Sequence, residues 1–126
     1  MEGAKTMNRF DPAPIKPTIP LEQLAKLDIR VGTIEEVRDV PGSRKLVRLT
    51  VSFGATRRSI LAGMKGEREN PGALAGTQAL FLVNLEPKKM AGETSEGMIL
   101  DVGYEDGLTP VLAVPERRVP DGARVG

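Results

Sequence analysis

The chemistry open to this 126-residue chain is limited first by two residue types it lacks, since it contains no His and no Cys. Ser-His-Asp and Cys-His nucleophiles are excluded, as are disulfides and zinc sites built on nitrogen and sulfur, which leaves only carboxylate-type metal binding. Acid–base catalysis would fall to Asp, Glu, Lys or Tyr with a displaced pKa. Three motifs that suggest chemistry fail on context. Gly63-Met64-Lys65-Gly66 has the form of a phosphate clamp that joins two helices, but here a strand is expected just before it. The glycines between 63 and 76 also lack the Gly-Lys-Ser/Thr ending of a phosphate loop. Ser43 and Lys45 lie two apart on a turn, which ensures neither burial nor an oxyanion site. We therefore expect a binding protein and not an enzyme, with no metal and no cofactor.

Charge points to what could be bound. Eighteen basic and seventeen acidic residues give a net charge of +1, yet residues 38–68 hold eight basic groups against two acidic ones, a local +6. These are Arg38, Arg44, Lys45, Arg48, Arg57, Arg58, Lys65 and Arg68. One reading is a phosphate-binding surface, whose affinity would fall with salt. The other is a solvated face that keeps the protein soluble.

A second cluster spans Asn84 to Met98. After an apolar run it turns at Pro87 and presents Asn84, Lys88, Lys89, Met90, Thr94, Ser95 and Glu96 before the chain becomes apolar again. Loops of mixed chemistry leaving a rigid scaffold are frequent ligand sites. The same residues would also suit an ordinary turn, with Met90 tucked inward and Ser95 capping locally.

Both clusters need elements to position them. Residues 1–20 hold four of the ten prolines and little apolar material to repay ordering, so a mobile Pro-rich tail is expected there, with one domain over 21–126. Leu21, Leu24 and Leu27 have helical spacing after Pro20 and predict a helix of at most two turns that must dock on something. From Asp28 to Val40 the period is two, with a slip at Gly32 that predicts a long strand bent by a bulge. Val47, Leu49, Val51 and Phe53 line one face of a second strand, and Arg57–Ala62 forms a third. Residues 77–85 predict a strand buried on both faces, followed by short strands at Met98–Val102 and Val111–Val114. Five or more short strands, one long and bent, with a helical insertion between the third and fourth, describe an all-β, five-stranded Greek-key barrel of the OB type. A two-sheet sandwich fits the same strand count. No apolar run approaches the roughly 20 residues of a membrane span and no signal-peptide core is present, so a soluble cytoplasmic protein is expected.

In order along the chain stand Leu27-Asp28-Ile29-Arg30-Val31-Gly32, Lys45-Leu46, Asn84-Leu85, Lys89-Met90, Gly92, Ser95-Glu96-Gly97-Met98, and Pro115-Glu116-Arg117 through Pro120 with Gly122. With these motifs the chain from Leu21 to Val125 resembles the tRNA-binding domain found free-standing and at the C-terminus of bacterial methionyl-tRNA synthetase, with relatives in the endothelial-monocyte-activating polypeptide group. The resemblance implies an OB-fold with short helices and a C-terminal β extension, binding tRNA by shape and backbone. It also implies a homodimer, and an aminoacyl-tRNA synthetase as a possible partner. It nominates Arg30, Lys45, Asn84, Lys89, Met90, Ser95 and Glu96 as tRNA-binding residues. Lys88 is a further contact, and Arg44, Arg48, Arg57 and Arg58 form a supporting basic surface. The residue types suit those roles: cations meet phosphates, amide and hydroxyl reach ribose or base edges, and a thioether can cover an unstacked base. Three Phe, one Tyr and no Trp leave little stacking platform, which favours folded RNA over single strands.

The chain departs from the family where a His-Pro-Asn-Ala-Asp segment often precedes the Lys-Leu pair. Here Asp39-Val40-Pro41-Gly42-Ser43-Arg44 stands instead. The alternative within the same fold is a CsaA-type secretion chaperone that holds unfolded polypeptides. Lys89-Met90 and Ser95-Glu96-Gly97-Met98 lie closer to the tRNA-binding branch.

Overall fold

The computed structural model describes residues 10–126. The start of the proline-rich tail lies outside the described residues, while 10–20 carry no helix or strand and are exposed throughout. The helix that follows is α1, Leu21–Leu24, half the length expected. It starts at Pro20, whose fixed φ suits the boundary, but no side chain caps it. Leu21, Leu24 and Leu27 all remain exposed, so the docking they imply is not made among the described residues.

Ten strands follow in chain order: β1 Ile29–Asp39, β2 Leu46–Ser52, β3 Arg57–Gly63, β4 Gln78–Leu82, β5 Lys88–Met90, β6 Glu93–Ser95, β7 Met98–Ile99, β8 Asp101–Val102, β9 Val111–Leu112 and β10 Arg124–Val125. The main sheet runs β3-β2-β1-β4-β7, all antiparallel, with β10 added to β1. One-turn 3-10 helices at Pro71–Leu74 and Tyr104–Asp106 fill two of the connections. The sheet curls until Ser59 of β3 accepts a backbone hydrogen bond from Glu96, just ahead of β7, at 2.8 Å. This is the all-β barrel expected, with the C-terminal extension formed by β8, β9 and β10.

Alternation builds the core. Val47, Leu49 and Val51 point inward from β2 and meet Ile34, Ile60, Ala62, Ala79, Phe81 and Val83. Each large aliphatic or aromatic group buried there stabilises by about 1.5–3 kcal/mol. Phe53 packs edge-on against Phe81, ring centroids 5.5 Å apart, the arrangement that ring quadrupoles favour.

Three details differ from expectation. The bulge in β1 is at Glu35 and not at Gly32: pairing with β4 runs unbroken from Ile29 to Thr33, and the register against β2 shifts between Ile34 and Glu36. The extra residue returns Val37 to the face of Ile34, so both oppose inward residues, Leu49 and Val51. Gly32 has a different cause, because a Cβ there would lie 2.6 Å from a Val51 methyl and 2.7 Å from the Phe53 ring. Secondly, the stretch 98–102 is two strands, not one. Met98–Ile99 pairs with β4 and Asp101–Val102 pairs with β9. Thirdly, Lys88–Ser95 is a β-hairpin closed by Ala91-Gly92, not a loop. Both turn residues have positive φ (50° and 80°), as the tight turn that matches strand twist requires.

A C-terminal strap completes the barrel. Asp121 accepts hydrogen bonds from Thr33 Oγ1 at 2.6 Å and from Gln78 Nε2 at 2.9 Å. Gln78 also donates to Val119 O and accepts from Val119 N. Arg118 reaches Thr33 Oγ1 and Gly76 O. Burial pushes the Asp121 carboxyl pKa up, but the Thr33 and Gln78 hydrogen bonds and the Arg118 charge outweigh it and hold it below the usual value.

Candidate nucleic-acid interface

The eight cations of the basic middle divide by what they touch. Arg38 pairs with Glu36 at 3.0 Å. Arg57 makes a two-pronged bond to Glu35 at 2.5 and 3.1 Å, which raises its pKa chiefly through hydrogen bonding. Lys65 is wrapped by Val40 O, Ser43 O and the Asp39 carboxylate. Arg68 contacts Glu67 and Pro110 O. Arg48 donates to Ser59 Oγ at 2.9 Å and lies 3.9 Å from Glu93. Arg58 donates to Val83 O at 2.6 Å and to Glu96 O at 3.1 Å. Arg58 is held by those two carbonyls alone and has no carboxylate partner, while Arg44 and Lys45, both exposed in the turn before β2, have neither an ion pair nor a side-chain hydrogen bond among the described residues.

Register explains the division. Arg48 lies opposite Leu61, and Arg57 opposite Ser52, so the two arginines share one face of the β2–β3 pair. Arg58 lies opposite Val51 on the other face. Of the adjacent pair Arg57 and Arg58, only Arg57 therefore shares the face of Arg48.

The Asn84–Met98 segment divides in the same way. Asn84 accepts from Asp28 N at 2.9 Å and donates to Lys26 O at 2.8 Å, so its amide fastens the strand exit to the start of β1. Ser95 is buried, accepts from Leu61 N at 3.0 Å and donates to Gly97 O. Glu96 accepts from Ser59 N at 3.0 Å. Arg30, on β1, is held by the Asp28 carboxylate at 2.8 and 3.1 Å and by Gly122 O. That Arg30 hydrogen bond holds Asp28 below its usual pKa, and the same bond raises the pKa of Arg30. Lys88 and Lys89 are exposed on β5 with no ion pair among the described residues, and Met90 is half-buried beside them.

The cations of these two segments whose side chains have no partner among the described residues therefore flank one strand. The hairpin carrying Lys88 and Lys89 abuts β3 at Ser59–Leu61. Lys45 sits beside Gly63 at the other end of β3. Next to Lys45 opens a cavity of about 630 Å³ whose walls include Leu61, Met64, Met98, Tyr104 and Leu112. Sequence reasoning missed the anchoring roles of Arg58 and of the Arg118–Asp121 strap. Their partners lie 25 to 88 residues away, and no local signal reports them.

The family model of the tRNA-binding domain matches residues 29–124. The methionine–tRNA ligase of Nitrosomonas europaea is 38% identical over 113 residues, 90% of this chain but 16% of that protein. That of Nitrosomonas eutropha is 39% identical over the same length. The chain thus spans about a sixth of the curated relatives it matches. Among solved structures, a MetRS-related protein from Pyrococcus horikoshii superposes with a TM-score of 0.80 at 32% identity, covering 88% of this chain and 100% of that one. The chaperone CsaA from Bacillus anthracis gives 0.75 at 31%, covering 87% and 100%.

Proposed function

The chain belongs to the tRNA-binding domain family, and on that premise we propose that it binds tRNA as a non-catalytic module. Lys45, Lys88 and Lys89 make the phosphate contacts, Arg44 extends them, and Met90 covers an unstacked base. One observation carries this reading: the side chains of these four cations have no ion pair and no hydrogen bond among the described residues, while the other six of the basic middle are engaged within the fold, five by carboxylates and Arg58 by backbone carbonyls. Cations already paired release little on meeting a phosphate; unpaired ones on exposed turns are ready to do so.

Filter binding of bulk tRNA at two salt concentrations tests the proposal. Affinity should fall with salt, and Lys45→Ala and Lys89→Ala should each weaken binding and lower the slope of log K against log salt by about one. No binding at low salt, or affinity indifferent to salt, would refute it.

The active form is a homodimer in the cytoplasm, where the module could deliver tRNA to a synthetase. Val102, Leu108, Val111 and Val114, exposed on and around β8 and β9, supply an apolar face for a second copy. A sedimentation profile containing only monomer would refute the dimer.

The likeness to CsaA and the part-apolar cavity beside Lys45 favour a second reading, the holding of unfolded polypeptides. That activity would be largely insensitive to salt. A denatured client kept soluble by a protein that does not bind tRNA would establish it over the first reading.

A further inference from the structure

We infer that Ser95 and Glu96 are positioning residues that clasp the lysine hairpin to the barrel, an inference that rests on the tRNA-binding reading for its functional consequence. β3 is an edge strand of the main sheet. An edge leaves outward N–H and C=O groups without a ladder partner, and such groups bond water or whatever is offered. Here three of the groups that face the hairpin are met by the residues that end it. Leu61 N donates to Ser95 Oγ at 3.0 Å, Ser59 N donates to Glu96 Oε1 at 3.0 Å, and Ser59 O accepts from Glu96 N at 2.8 Å. Two side chains and one amide thus do part of what a further strand at this edge would do. Ser95 is buried, its hydroxyl proton given to Gly97 O and its oxygen accepting from Leu61 N, so it has no proton to donate to a ligand.

Two arginines brace the clasp. Arg58 joins Glu96 O to Val83 O, tying the end of the hairpin to the chain just after β4. Arg48 bonds Ser59 Oγ and approaches Glu93 at the near end of β6. Gly97 then lets the chain pass, for a Cβ there would lie 2.8 Å from Leu82 O. The hairpin has only three residues in each strand, too few to hold a fixed position alone. With the clasp, the hairpin whose β5 strand carries Lys88 and Lys89 is held in a fixed position beside β3. A carboxylate at Glu96 is a poor direct partner for phosphate, and its bond to Ser59 explains why an acid occupies a basic site.

The test uses the full chain with Glu96→Ala, Glu96→Gln and Lys89→Ala, read by amide hydrogen exchange and by tRNA binding across a salt series. Glutamine keeps the carbonyl acceptor and removes the charge. Glu96→Gln should match the wild type in both readouts. Glu96→Ala should speed exchange at Ser59 by about tenfold, weaken tRNA binding, and lower the salt slope by about one, as Lys89→Ala does. General destabilisation would lower the active fraction without changing that slope. If the alanine variant does not fold, Glu96→Ser, polar but too short to reach Ser59, gives the same reading. The inference is overturned if Glu96→Gln behaves like Glu96→Ala, or if Glu96→Ala binds with the wild-type slope. Failure of the wild type to bind tRNA would overturn the functional reading, while exchange at Ser59 still decides whether the clasp exists.

Discussion

Two residues show how a role is set by neighbours and not by type. Asn84 stands within a binding motif, yet both ends of its amide are used on Asp28 N and Lys26 O. Asn84→Ala should cost about 1–2 kcal/mol, the net worth of two exposed hydrogen bonds to backbone, read as a lower urea midpoint at constant slope. Lys89→Ala should leave that midpoint unchanged. Gly32 is the complementary case. Gly32→Ala would force a methyl against Val51 and Phe53 and should cost about 1–3 kcal/mol by overpacking, seen in the same measurement. The sequence showed that something irregular happens near Gly32, because the alternation slips there. A slip in phase cannot say which residue is extra, and Glu35 was found only from its pairing. The free and bound cations were equally illegible. Arg57 meets Glu35 across 22 residues and Arg58 meets Glu96 across 38, so the distinction exists only once the strands are in register.

Among the elements, β2 was the most legible, since Val47, Leu49 and Val51 alternate with polar residues and nothing interrupts them. The β5–β6 hairpin was the least. Its turn is Ala91-Gly92, not the Asn-Gly or Asp-Gly pair that announces such turns, and its strands carry lysines and glutamate instead of apolar alternation. Ala91 bears the cost, with φ at 50°, a region that disfavours side chains unable to bond locally. Ala91→Asn should therefore stabilise the protein by a few tenths to about 1 kcal/mol, measured as a higher thermal midpoint, without loss of tRNA affinity. A destabilised variant would show that the turn is held by contacts that asparagine disturbs. The expected helix over 21–27 was shortened for a related reason: its leucine stripe has no surface to bury against among the described residues, and packing sustains most short helices more than propensity does.

At the scale of the whole molecule, the barrel depends on its strap. Asp121 draws Thr33 and Gln78 together from β1 and β4, and its pKa is lowered in the fold. A carboxyl lowered on folding stabilises the native state above its unfolded pKa of about 3.9, and that contribution is lost as pH falls through the lower native value. The wild type should lose stability on moving from pH 7 to pH 3 more steeply than Asp121→Asn, whose side chain cannot titrate. Urea midpoints at the two pH values decide it, and parallel losses would remove Asp121 as a source. The charge sum of +1 described this scale poorly, since it averaged a neutralised barrel face with the few cations left open around β3.

The pairing of β10 with β1, Ile29 against Val125 and Arg30 against Arg124, puts the two ends of the barrel side by side, about 5 Å apart at the backbone. Such a fold is topologically almost a ring. A short Gly-Ser bridge from Val125 to Leu27, with new termini opened in the exposed turn at Glu69-Asn70, should yield a circular permutant that still folds. For the same reason the barrel could be set into a surface loop of an unrelated host, both joints meeting on one side and the Lys45 and Lys88–Lys89 turns left unobstructed.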